Sequence, residues 1–160
     1  MSAGHTEKSG RNETEEERLD RKWADLLQEL RVMQTGAQLT AGFLLTLPFT
    51  TKFPSLDSFQ EKLYLALVLV AALTTAVVIT PVAVHRRISG QHVKGRLVAT
   101  AHRLVGVGLA LLALLVTGIV VLVFDVVLDR TSALVAGGIV GAILVGLLVV
   151  LPMRQVGPED

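Results

Sequence analysis

Four apolar runs, separated by short polar stretches, dominate the chain from about residue 32 onward. They cover about 32 to 49, 63 to 84, 104 to 124 and 133 to 151, and none holds an Asp, Glu, Lys, Arg or His between its ends. A soluble helix keeps a wet face; runs of about 18 to 20 residues without charge predict helices that cross a bilayer. Upstream the pattern differs. Thr14 and Glu17 stand at the spacing of a capping box, in which two side chains satisfy the free amides of a helix start. From there Leu19, Trp23, Leu26, Leu27, Leu30 and Met33 recur every three or four residues. That period predicts one apolar stripe on a helix, with Arg18, Arg21, Lys22, Asp25 and Glu29 mostly off it.

The expected architecture is therefore an all-α membrane protein. Residues 1–13 form a disordered polar tail, 14–31 an amphipathic juxtamembrane helix, 32–152 four transmembrane helices in two hairpins, and 153–160 a short tail. The amphipathic helix lies on the membrane with Trp23 at headgroup level, or packs on its own bundle or a twin subunit. Pro81 is expected to bend the last turn of the second run, and Pro152 to stop the fourth.

The first run is the least apolar, and charge placement argues that it crosses. Basic residues near span ends stay cytoplasmic. Six Lys or Arg precede the first run and five lie between His85 and Arg103, against two between Phe49 and Lys62 and one each near Arg130 and Arg154. Four crossings put 12 of the 15 on the cytoplasmic side. Both termini are then cytoplasmic, in a plasma membrane. Phe49, Phe53, Phe59, Tyr64 and Phe124 gather at the opposite end, as an aromatic belt does. The hydrophilic first 31 residues do not resemble a cleavable signal.

Composition narrows the chemistry. Hydrophobic residues make up 51% and charged ones 18%, and there is no cysteine, which excludes disulfides and thiolate metal sites. His85, His92 and His102 share a segment with five cations and no acid, a poor setting for a divalent ion. No nucleophile triad, phosphate loop or acidic pair is recognisable. The expectation is no enzyme activity, no cofactor and no nucleic-acid partner. Coupled ion transport uses an ionisable group near mid-membrane. Asp125 and Glu29 lie at span edges, where interfacial hydration accounts for them.

Three sets of residues remain as candidate contacts. Glu29, Arg31, Gln34 and Gln38 form a polar patch entering the first run, and amides there need a partner or a wet crevice. They are expected to meet the ends of the second and third runs, with Glu29 against Arg103 or Arg86. Arg86, Arg87, Lys94, Arg96 and Arg103 form a basic loop suited to anionic lipid. Gly137, Gly138, Gly141, Ala142 and Gly146 give the fourth run small-residue ridges that let helices approach. Small residues also mark the third run at Gly106, Ala110, Ala113 and Thr117.

The segments LLQELRVMQTGAQLTAGFLLTLPF, LYLALVLVAALTTAVVITPVAVHRR and HRLVGVGLALLALL resemble a family of small membrane proteins of high-GC Gram-positive bacteria that carries a domain-of-unknown-function label. The resemblance covers about residues 15 to 150 and implies four spans. Some relatives bear a sodium:proton antiporter name. The function expected is a non-enzymatic accessory or scaffold subunit whose partners are membrane lipids and a larger membrane complex or further copies of itself. The alternative is a small cation or proton transporter or channel component working as an oligomer.

Overall fold

The computed structural model describes residues 14–88 and 94–155. The expected 1–13 tail and the turn at Ser89 and Gly90 lie outside them. No strand occurs among the described residues. Helix α1 is Glu15–Thr46, α2 Ser58–Ile88, α3 Lys94–Val127, α4 Arg130–Val145 and α5 Leu151–Gln155. Two 3₁₀ turns, Leu47–Phe49 and Phe53–Ser55, connect α1 to α2.

Helix α1 begins where the capping box placed it. The Thr14 hydroxyl accepts from the Glu17 amide at 3.3 Å, and the Glu17 carboxylate accepts from the Thr14 amide at 2.9 Å. The helix then runs 32 residues without interruption, so the amphipathic segment and the first apolar run are one rod. Its stripe is buried within this chain. Trp23, Leu26, Leu30 and Met33 pack with Val78 of α2 and Val105 of α3. A second layer joins Leu44 of α1 to Tyr64, Leu67 and Ala71 of α2 and to Leu115 and Leu122 of α3. Between the layers the buried residues are small, Ala37 on α1 and Thr74 on α2. Helices α1, α2 and α3 thus form an antiparallel core, and α4 packs along α3.

Van der Waals packing replaces the hydrophobic effect as the force between helices in lipid, so close approach matters. Gly118 of α3 supplies it against α2: a Cβ there would collide with the side chain of Leu67. Gly137 of α4 does the same against Val121 of α3. The threonines need no partner on another helix. Thr40, Thr74, Thr75 and Thr80 each donate to the carbonyl four residues earlier, at 2.7 to 3.0 Å, which satisfies a hydroxyl within its own helix.

Two boundary expectations are corrected. The segment read as a basic loop is largely helical, since α2 continues to Ile88 and α3 starts at Lys94. Arg and Lys are good helix formers; their charge keeps them out of hydrocarbon without ending a helix. Pro81 is fully buried inside α2, which continues seven residues beyond it. Pro152 does not end the last helix either. A π turn spans Gly146–Val150, with the Leu151 amide donating to the Gly146 carbonyl, and α5 carries Pro152 onward to Gln155. A wide turn before a proline relieves the ladder of a bond the proline cannot make.

Candidate functional site

The most organised polar group lies where the aromatic residues gather. Asp57 precedes α2 and starts it: its Oδ1 accepts from the amides of Phe59 and Gln60 at 2.8 and 2.9 Å, while the Gln60 side chain accepts from the Asp57 amide at 3.0 Å. This is a capping box with Asp and Gln in the two roles. Asp129 starts α4 in the same manner, accepting from the amides of Thr131 and Ser132 and from the Ser132 hydroxyl. Those bonds hold its carboxyl below the usual range, the Ser132 hydroxyl contributing most.

Arg130, the first residue of α4, ties these starts to the end of α3. Its Nε donates to Asp125 Oδ1 at 2.7 Å, and a terminal nitrogen donates to Asp125 Oδ2 at 3.2 Å and to Asp57 Oδ2 at 2.8 Å. The guanidinium also lies 3.8 Å from the centre of the Phe59 ring, a cation–π distance. Gln60 closes the group by donating to the Asp125 backbone carbonyl at 3.3 Å. Beside it Phe53 and Tyr64 meet edge to face, centroids 5.3 Å apart. The side chain of Asp125 is only 2% exposed, against 42% for Arg130 and 54% for Asp57. Interfacial hydration therefore does not account for Asp125. It is a desolvated carboxylate held by a bidentate arginine, and the three elements meeting there are locked by one side chain.

The residues singled out from sequence are distributed differently. Glu29, Arg31 and Gln38 are exposed and Gln34 is half-buried on α1. Glu29 and Arg103 form no ion pair among the described residues, and both are exposed. Arg86 and Arg87 belong to the end of α2, Lys94 and Arg96 to the start of α3, and their side chains lie outside the described residues. The small residues of the fourth run divide into two sides. Gly137 and Gly141 face α3, the latter beside Thr117; Gly138, Ala142 and Gly146 do not, and Gly138 and Ala142 are exposed. On α3 the close approaches occur at Gly108, against Met33 of α1, and at Gly118, against Leu67 of α2, outside the series named above. Gly106, Ala110, Ala113 and Thr117 instead line an apolar cleft of about 440 Å³ facing the end of α4. No cluster of three potential metal ligands occurs among the described residues.

Three helical stretches, Ser58–Ala83, Arg103–Val127 and Arg130–Met153, are long and apolar enough to cross a bilayer. Together with the absence of strand among the described residues, they define an all-helical, multi-pass membrane protein. More particularly, the chain belongs to DUF6328, a family of unknown function, which it matches over residues 12–152. Neither the curated proteins nor the solved structures provide a match.

Proposed function

We propose that this chain is a non-enzymatic accessory or scaffold subunit of the cell membrane, crossing it four times with both termini in the cytoplasm. Support for the fourth crossing is the register of α1. Met33 packs at the level of Val78 and Val105, and Leu44 at that of Leu67 and Leu122, so this stretch shares the depth of two candidate spans. Its outward residues Val32, Leu39, Phe43 and Leu45 are all more than half exposed, as a lipid-facing side is. The charged half of α1 then extends past the bilayer, along the same end as Arg86, Arg87, Lys94, Arg96 and Arg103. Each cation held near an anionic leaflet contributes about 1 kcal/mol of attraction, so this end suits the continuous surface of an anionic leaflet.

One observation carries the scaffold reading. Within Arg130–Val145 only Ala133 and Gly137 are buried, while Leu134, Val135, Ile139 and Ile143 are each more than half exposed around the open Gly138 and Ala142. A small-residue ridge flanked by large apolar side chains is the form a membrane helix uses to receive another. Mild-detergent purification followed by mass measurement tests this. A complex with a different membrane protein, weakened by Gly138→Ile, is the expected result. A closed homo-oligomer that passes cations in liposomes would replace the proposal with a transporter or channel component.

A further inference from the structure

An apolar cleft of about 620 Å³ lies between α1 and α3, at the end where α1 turns toward α2. We propose that it seats one acyl chain of a phospholipid with an anionic headgroup, whose phosphate rests against Lys52. Two observations lead there. First, the walls run from Leu39 on α1 to Leu47 just past its end and from Val116 to Val127 on α3, which at about 1.5 Å per residue is roughly 12 to 17 Å. That is half of a hydrocarbon core about 30 Å thick, the depth of a single leaflet. A partner helix crossing here would need a groove along both leaflets. Second, the rim has one charged residue, Lys52, and no carboxylate pairs with it among the described residues. Thr40 and Thr46 also line the cleft, but their hydroxyls already donate to the carbonyls of Gly36 and Phe43. An oily slot one leaflet deep with an unpaired cation at its mouth complements a lipid that is apolar below and anionic above. The site lies at the opposite end from the basic cluster of Arg86 and Arg87.

The seat depends on α1 crossing the bilayer. That is tested separately, because the chain has no native cysteine: Asp25→Cys, exposed on the charged half of α1, and Ser55→Cys, beyond its end, should label from opposite faces. For the lipid itself, the full chain is exchanged into mild detergent with dioleoyl phosphatidylglycerol and dioleoyl phosphatidylcholine, and retained lipid is read by native mass spectrometry. One phosphatidylglycerol should remain per chain and be preferred about five-fold, the equivalent of the ~1 kcal/mol contributed by one lysine. Lys52→Gln, at an exposed position, should abolish the preference. Val120→Phe should remove the retained lipid by filling the slot, and Arg86→Gln with Arg87→Gln should leave it. Absence of retained lipid, an undiminished preference in Lys52→Gln, lipid retention in Val120→Phe, or loss of lipid in the Arg86/Arg87 variant would each overturn the proposal. A homodimer lost only in Val120→Phe would overturn it too, by giving the slot to a second copy.

Discussion

Replacing Arg130 by Gln should be far more damaging than the exposure of its side chain suggests. The change removes two charge-assisted bonds to Asp125 and one to Asp57, along with the stacking over Phe59. What decides the magnitude is the group left behind. Breaking a fully enclosed ion pair costs about 3 to 5 kcal/mol, because one charge remains desolvated and unpaired. Here Asp125 is 2% exposed but Arg130 is 42% exposed, so water can partly replace the guanidinium, and the expected loss falls to about 2 to 3 kcal/mol. Asp57→Asn provides the contrast. Asn still caps α2, so only an ion pair between half-open groups is lost, worth about 0.2 to 1 kcal/mol. Adding Asp125→Asn to Arg130→Gln removes the stranded charge and should recover much of the stability, giving a coupling of about 2 kcal/mol in the double-mutant cycle. Unfolding in mixed micelles, driven by an increasing fraction of harsh detergent, supplies the energies. Fluorescence of Trp23, the single tryptophan, reports from the far end of α1 and so monitors the whole fold. If Arg130→Gln and Asp57→Asn both cost less than about 1 kcal/mol, Asp125 is hydrated in the native protein and the reasoning fails.

Other consequences are open to measurement. Gly137→Ile should displace α4 from Val121 and destabilise by about 1 to 3 kcal/mol through overpacking. Gly138→Ile, with open space around it, should change unfolding by less than about 0.5 kcal/mol while altering association with a partner. Leu30→Ala, emptying part of the layer around Val78 and Val105, should cost about 2 to 5 kcal/mol, measured by the same unfolding assay. Glu17 is held below the usual carboxylate range by its bond from the Thr14 amide, then by that from the Thr14 hydroxyl. A carboxyl depressed in the folded state stabilises above its ordinary pKa and loses that contribution as pH falls through the lowered value. Hydrogen-exchange protection of the first turn of α1 should therefore fall on acidification; Glu17→Gln should abolish that pH dependence, and Thr14→Ala, which keeps the backbone amide, should only weaken it.

Much of the helical layout was legible because its causes are local. The capping box at Thr14, the three- and four-residue stripe from Trp23 to Met33, and the charge-free runs of α2, α3 and α4 each follow from neighbouring residues. Charge and proline were poorer guides to where helices end. Arg86 and Lys94 lie inside helices because bilayer exclusion and helix propensity are separate preferences. Pro152 lies inside one because a π turn precedes it. The polar lock was hidden for another reason: Asp57, Asp125 and Arg130 come from three elements, and burial of Asp125 depends on how those elements meet. A faint signal existed in FDVVLDR, where an acid sits inside apolar sequence and an arginine follows five residues later. The packing glycines were equally mute, since Gly118 acquires its role from Leu67, about a third of the chain away.

The nearness of Asp125 and Arg130 in sequence also bears on how the protein is made. A carboxylate that had to wait for a distant lysine would enter the membrane boundary alone, and the nascent helix would hesitate there. Arg130 instead emerges almost together with Asp125, across a turn so short that closing it costs little chain entropy. The two halves of the last hairpin can neutralise each other before the rest of the bundle has assembled, and Asp57, synthesised long before, is then waiting to receive them.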